Sequence, residues 1–427
     1  MLGIMLGLII LMILAFKGWS IIWAAPIAAS VVAGIARVGI LEAFTDTYMS
    51  GFVSFTQSWF PVFMLSAIFG KLMEYTGMAS SIAIKLSQLI GKKRALLAVI
   101  LSCAILTYGG ISMFVVVFAI YPVAVSLFRE ANISRKIMPA TIALGAFTFT
   151  MTALPGSPQI QNLIPIPYFN THAMAAPIMG IVAGLIIGVL GYLYLSWRQR
   201  QLTSQGEGWV EPRVQTEVDK IEKLPNVWLS IIPLGVVIIS LNLLKWDIIV
   251  SILVANLLIL VLNLSKRKGF VKAINEGAQG SVIAIMNTSA AVGFGAVVQS
   301  VPAFTTLTHL LVNIPGSPLI SLAVAVNILA GATGSASGGL GIALEALGEY
   351  YYQIALETGI APEALHRIAS LSAGTLDALP HNGAIITLLI ITGVTHKEGY
   401  KDIAIATILI PIVSIIIAIA LASMGIY

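Results

Sequence analysis

"TMTALPGSPQI" (residues 150–160) and "TLDALPHNGAI" (residues 375–385) share Thr, Ala-Leu-Pro and Ile in the same order. Each sets proline and glycine into an otherwise apolar run, and the second adds two ionisable groups, Asp377 and His381. Further matches lie at almost the same spacing. "AIFGKLMEY" (67–75) pairs with "VGFGAVVQS" (292–300), and "GWSII" (18–22) pairs with "KWDII" (245–249). Three collinear matches at near-constant spacing indicate two homologous halves.

Composition says where those halves reside. Of 427 residues, 58% are hydrophobic and 10% charged, and the mean hydropathy is +0.97. Soluble domains carry roughly 25% charged residues, so this chain belongs in a membrane. Leu2–Phe16, Ile21–Ala36, Met174–Leu195 and Ile403–Met424 are free of charge, and about 20 such residues span a bilayer. The first run lacks a basic leader and a small-x-small cleavage site, so it reads as a helix and not a signal peptide. β-Barrel alternation is absent. The single cysteine, Cys103, has no partner for a disulfide. The formal charge of +5 comes from short clusters between spans, so it does not indicate nucleic acid.

Those clusters set the orientation, because short cytoplasmic loops collect Lys and Arg. They are Lys92-Lys93-Arg94, Arg129/Arg135/Lys136, Arg198/Arg200, Lys266-Arg267-Lys268 with Lys272, and Lys397/Lys401. Placing all of them inside predicts a helix ending at Lys17, a second over about 19–41, a third over about 52–75 and an interfacial helix over 78–91. Residues 95–128 are apolar with basic flanks on both sides, so the chain must enter and turn back. "TYGGIS" (107–112) supplies the turn of a re-entrant hairpin. The alternative is a plain pair of spans. A helix over about 137–166 is interrupted at "PGSP" (155–158), and 174–197 returns inside.

The polar stretch 198–226 reads as a cytoplasmic linker. The second half, 227–427, repeats the first half, 1–197, upside down. It has helices near 227–244, 247–265 and 277–300, and then a hairpin over about 317–356 with tip "TGSASGG" (333–339). A helix over about 366–394 broken at "PHNG" (380–383) and a last helix over 402–425 complete it. The expected fold is an all-α polytopic membrane protein of two inverted-topology repeats. Each repeat has five spanning helices, one of them broken, and one re-entrant hairpin. Inverted repeats are the pattern of secondary transporters.

Backbone freed inside a membrane is tolerated only when buried in protein or facing a polar cavity. The two tips and two breaks are therefore the candidate site. Exposed helix N-termini favour anions, and freed carbonyls and hydroxyls can hold a cation. The candidate substrate contacts are Thr107, Gly109, Gly110, Ser112, Gly156, Ser157, Gln159, Thr333, Gly334, Ser335, Ser337, His381 and Asn382. Asp377 and His381, four apart, would share a helix face before the break and are the candidates for ion coupling; bracing the broken helix is the alternative role. Thr152 and Gly156 hold their places in the first half, so the titratable pair is confined to one copy. No basic residue competes for an anion in the apolar core, since Arg37 and Lys71 lie near span ends. Glu345 either lines the pathway or reaches the outer interface, while His172, His309, His366 and His396 read as ordinary residues near surfaces. Neither H-E-x-x-H nor G-x-S-x-G occurs, so no motif points to an enzyme, and none calls for a cofactor or a metal.

"ALPHNGAIITLLIITGVTHKEGYKD", "GATGSASGGLGIALEALG" and "LTYGGISMFVVVFAIYPVAVSLFREA" resemble the gluconate permease family, nearest to its short members labelled 3-hydroxybutyrate permeases. That family belongs to the ion transporter superfamily, which includes dicarboxylate/sodium symporters. The resemblance implies a moving transport domain of hairpins and broken helices, a scaffold that is usually dimeric, and an elevator motion. Those symporters carry Ser-Asn-Thr at their tips, where this chain has Thr107-Tyr108-Gly109-Gly110 and Gly334-Ser335-Ala336-Ser337. The resulting expectation is a symporter in the inner membrane that couples a cation, a proton before sodium, to a small organic anion such as gluconate or 3-hydroxybutyrate. Its other partners would be lipid and a second copy. A sodium-coupled di- or tricarboxylate carrier is the alternative, and an ion channel is a third.

Overall fold

The computed structural model describes residues 2–91, 94–211, 224–306 and 317–427. Lys92, Lys93, His309 and linker residues 212–223 fall outside them. Every regular element among the described residues is helical. In chain order they are α1 (Leu2–Phe16), α2 (Ile21–Ile35), α3 (Ile40–Tyr75), α4 (Met78–Ile90), α5 (Ala95–Tyr108), α6 (Met113–Glu130), α7 (Met138–Ala146), α8 (Ile160–Leu163), α9 (Pro165–Phe169) and α10 (Pro177–Ser204). Then follow α11 (Val227–Asn242), α12 (Ile248–Leu262), α13 (Phe270–Ser300), α14 (Pro318–Thr333), α15 (Ala336–Thr358), α16 (Pro362–Ala373), α17 (Gly383–Thr392) and α18 (His396–Ser423).

Capping residues explain many of the helix starts. Side chains of Ser20, Asn226, Asp247, Ser317, Ser335 and Asn382 accept hydrogen bonds from the first free N–H groups of α2, α11, α12, α14, α15 and α17. Pro61, Pro122 and Pro233 stay inside helices because neighbouring helices can satisfy the freed carbonyls.

Several expected boundaries move. The second helix ends at Ile35, because Arg37 takes a left-handed φ of 59°. The third begins at Ile40 and passes through a π-helical turn, Ala43–Tyr48. The linker starts later than expected, since α10 continues to Ser204. Ten spans were expected. Among the described residues five helices are long and apolar enough to cross alone, or six when α16 and α17, bent by 55° at the second break, form one span. The remaining apolar helices are 10–17 residues long, and 15 residues rise only about 22 Å against about 30 Å of hydrocarbon. The arms of the first hairpin are unequal, 14 residues in α5 and 18 in α6.

Packing follows small residues. A Cβ on Gly51 would sit 2.7 Å from the Ala296 methyl, and one on Gly277 would sit 2.7 Å from Cα of Ile68, so α3 and α13 pack backbone to backbone. Between them the Thr56 and Ser289 hydroxyls share a 2.8 Å hydrogen bond. A small core joins α1, α2 and the middle of α13 around Ala28, Val32 and Phe294. The larger core runs through both hairpins, both broken helices, α10 and α18.

Two of the basic clusters are tied to neighbouring segments by polar contacts. Arg129 bonds Glu211 at 2.8 Å and Lys136 bonds Glu207 at 2.7 Å, tying the start of the linker to the end of the first hairpin. That Arg129 hydrogen bond holds the Glu211 carboxyl below its usual range. Arg135 reaches the carbonyl of Gly393, and Arg198 pairs with the buried Asp402 at 3.1 Å. Such an arrangement fits a single cytoplasmic side. In a Cys103→Ala background, an impermeant thiol reagent added to intact cells is expected to label Glu357→Cys and to spare Lys268→Cys. Labelling of both positions from outside would overturn the orientation.

Candidate functional site

The first break starts where α7 ends. A π-helical turn (Phe149–Ala153) follows, and Leu154–Gln159 then run without helix. Freed carbonyls here need partners, and the first hairpin supplies and receives them. Gln159 Nε2 donates to the Thr107 carbonyl at 2.6 Å and to that of Ile111 at 3.2 Å, and Tyr108 Oη donates to the Pro155 carbonyl at 2.8 Å. Tip and break are thus one unit. Gly110 turns the tip with φ 96° against Pro158, where a Cβ would approach to 3.0 Å. Ser157 is fully buried, and its hydroxyl donates to the Thr150 carbonyl at 3.1 Å. Gly156, with φ 77°, donates its N–H to the Ala173 carbonyl. Its own carbonyl accepts from Asn242 on α11 at 2.9 Å. Gly109 and Gly110 are pressed against Ser66, Phe69, Val237 and Ile252 with no room for a water molecule between them. The Thr107 hydroxyl is buried without a partner, and Ser112 opens α6 without a side-chain cap.

At the second break, Thr375 bonds Asn327, a 3-10 turn covers Leu376–Ala378, and Leu379 is extended. Asn382 does two jobs. Its Oδ1 accepts from Ala384 and Ile385 N–H groups at 2.6 and 3.1 Å, and its Nδ2 donates to the Asp377 carbonyl at 2.8 Å. The extended Leu379 and the turn at 380–381 destroy the helical register that would set Asp377 and His381 on one face; that expectation does not hold. Instead the His381 ring lies over the second tip, where Nε2 would be 2.8 Å from a Cβ on Gly334. At this tip Thr333 Oγ1 donates to the Leu329 and Ser335 carbonyls, and Ser335 caps α15. Ser337 meets Thr288 of α13 at 3.2 Å. Two clusters result, and Ser370 joins them by donating to the Thr152 carbonyl at 2.8 Å.

The structure also assembles residues that the sequence reading passed over. Arg367 is completely buried, against the expectation that the apolar core holds no base. Its Nε and Nη2 donate to the Ala175 carbonyl at 3.2 and 2.7 Å, and Nη1 donates to Asn162 Oδ1 at 2.9 Å. His366 is equally buried, not near a surface, between Thr171 at 2.7 Å and Asn162 at 3.3 Å. A neutral ring, with Nε2–H donating to Asn162 and Nδ1 accepting from Thr171, satisfies both contacts. His396 is exposed as expected, yet its Nε2 meets the Pro380 carbonyl at 3.1 Å, and Tyr400 donates to that of Ala378. Both breaks are thus served by the turn that follows them. The recurring pairs Thr171-His172 and Thr395-His396 marked those turns in the sequence. Arg367 was visible too, inside the very segment read as a broken helix.

A cavity of about 430 Å³ opens between α3, α9, α15 and the α11–α12 turn. Ser54, Ser58, Tyr168, Asp247 and Glu345 give it polar walls, and none of the tip residues lines it. Tyr168 donates to Glu345 at 2.8 Å, so Glu345 faces this crevice.

Apolar helices broken at polar points and furnished with hydroxyls and amides suit a multi-pass membrane transporter. The chain belongs to the GntP permease family, whose model matches residues 1–245. Residues 159–426 also match the model of the Na+/H+ antiporter family. An uncharacterized transporter of Bacillus subtilis (strain 168), YxjC, is 39% identical over 451 residues, covering 95% of each chain. The crystal structure of the Alcanivorax borkumensis YdaH transporter, described as having an unusual topology, superimposes with a TM-score of 0.57 at 14% identity. It covers 90% of this chain and 88% of that one, a likeness of fold.

Gln159→Ala removes two bonds at the first tip. The Thr107 carbonyl keeps the Gly110 N–H, but the Ile111 carbonyl loses its side-chain donor, and a buried carbonyl left unpaired costs about 1–3 kcal/mol, so the melting temperature of the purified protein is expected to fall. Ser112→Ala, which removes no cap bond, is expected to leave it unchanged.

Proposed function

We propose that this transporter is a secondary active symporter of a small organic anion, with gluconate or 3-hydroxybutyrate as the leading candidates and a proton as the coupling ion. The observation that carries this reading is the pairing of each polar helix break with a glycine-rich hairpin tip inside the membrane. Freed N–H groups and helix N-termini suit a carboxylate, and hydroxyls and amides suit its hydroxyl groups. Two inverted repeats, 1–197 and 227–427, joined by the linker 198–226, account for the matching elements. In this reading the hairpins and broken helices move as a body against α1–α3 and α11–α13, in an elevator motion within a homodimer. The Asn242–Gly156 and Thr288–Ser337 bonds, and the packing of Gly109 on Leu234 and Gly341 on Val292, are among the contacts that such motion must break. Substrate contacts come from the thirteen positions named at the tips and breaks, and Asp377 and His381 carry the coupling proton.

Sodium is the second reading. The match of residues 159–426 to an Na+/H+ antiporter family supports cation coupling without choosing the ion. In proteoliposomes with the membrane potential clamped, an inward proton gradient is expected to drive uptake of labelled gluconate or 3-hydroxybutyrate. Asp377→Asn and His381→Gln are expected to abolish the gradient-driven part. Uptake driven by sodium alone and indifferent to both substitutions would refute proton coupling.

A further inference from the structure

A buried charge costs several kcal/mol unless it is paired and hydrogen-bonded. Arg367 is fully buried, yet its bonded acceptors are two backbone carbonyls in the 173–175 turn, reached by Nε and Nη2, and the amide oxygen of Asn162. The ion pairs among the described residues are Lys71 with Glu74 and Glu276, Arg129–Glu211, Lys136–Glu207, Arg198–Asp402 and Lys272–Glu276. None includes Arg367. Neutral donors, the Asn162 amide and the Gly156 N–H, already satisfy the Ala173 carbonyl without a desolvated charge, so the charge of the arginine needs an account of its own.

Its surroundings indicate what the charge faces. Asn162 accepts from Arg367 and donates through Nδ2 to the carbonyls of Ser157, at 2.8 Å, and Ala173, at 2.9 Å. The Ala173 carbonyl also accepts the Gly156 N–H. The guanidinium is thus linked through one amide to the backbone of the first break. A Cβ on Gly180 would lie 3.0 Å from Pro155 Cδ and 3.1 Å from Arg367 Nε, so arginine and break flank the same glycine. With every bond of the guanidinium going to neutral oxygen, its charge remains uncompensated at the break.

We propose that Arg367, acting through Asn162 on the backbone at Gly156–Ser157, is the positioning residue that makes the first break prefer an anion to an uncharged molecule of the same shape. The inference rests on the organic-anion reading above. Arg367 does not touch the cargo. It fixes the break and supplies a positive charge that stays with it. When an organic acid occupies the site, the pair becomes neutral. At an effective dielectric of about 20, a unit charge roughly 8 Å from a carboxylate would favour it over a neutral analogue by roughly thirty-fold.

The test is binding to the purified full chain by calorimetry, using gluconate against gluconamide and 3-hydroxybutyrate against 3-hydroxybutyramide. Wild type is expected to prefer the acid. Arg367→Gln is expected to lower the acid-to-amide ratio at least ten-fold, while Arg367→Lys, which keeps the charge and loses the fork, retains most of it. Asn162→Asp leaves an acceptor for Nη1 in place and puts a counter-charge beside the guanidinium, while it also removes the two bonds donated to Ser157 and Ala173; it is expected to weaken binding of both acid and amide and to erase the preference. It keeps the test decisive if Arg367→Gln does not fold. A merely structural strut would weaken acid and amide alike and leave the ratio unmoved; that result in Arg367→Gln or Asn162→Asp overturns this inference alone. A wild type without preference for either acid overturns the organic-anion reading, and this inference with it.

Discussion

A peptide carbonyl that loses its helical partner inside a bilayer has no water to accept from, and the rest of this structure is arranged around that constraint. Two helices are interrupted at depth, and side chains meet the demand that results. Gln159 and Tyr108 serve the first break and its hairpin tip, and Asn382 closes the second break. Asn162 and Asn242 reach the first break from beside it, and His396 and Tyr400 reach the second. Satisfied in this way, each break is a defined shape and not a frayed end. Backbone held in this way offers polar groups without charged side chains, in keeping with a chain of which 10% is charged.

The two pairs of tip and break are alike in construction and unlike in setting. In the first, Gly109 and Gly110 lie against α3, α11 and α12 and Ser157 is fully buried, while Gly110, Ser112 and Gln159 are half-buried. In the second, Gly334, Ser335 and His381 are half-buried and the histidine ring lies over the tip. Asp377 and His381 belong to the second break alone, and Arg367, from the C-terminal half of the chain, bonds Asn162 beside the first. Each half therefore depends on the other for its chemistry. Ser370 on the Thr152 carbonyl and the close approach of Gly374 to Thr152 bind the two breaks into one body. Against α11 and α13 the tips pack through small and apolar residues, Gly109 on Leu234 and Gly341 on Val292, with two polar contacts, Asn242 to Gly156 and Ser337 to Thr288.

Much of this was legible in the amino-acid order. Hydrophobicity requires a helical membrane protein, and Pro-Gly and Pro-His-Asn-Gly inside apolar runs mark where helices must stop, because proline lacks the N–H and glycine tolerates the turn. The paired glycines at 109–110 announce the first tip. Capping residues such as Asn382 and Ser335 stand one position before the helices they start. What tertiary structure decided is who satisfies whom. Asp377 and His381 look like a helical pair by spacing, but the break that gives them their interest also removes the helix between them. His366 and Arg367 look like the polar end of a surface helix until the 170–176 turn folds over them. Periodicity and composition report what a residue can bond to. Burial, and the choice of Asn162 and two carbonyls as the acceptors of a guanidinium, arise only when segments about 200 residues apart are packed together, since desolvation is a property of the assembled interior and not of the local chain.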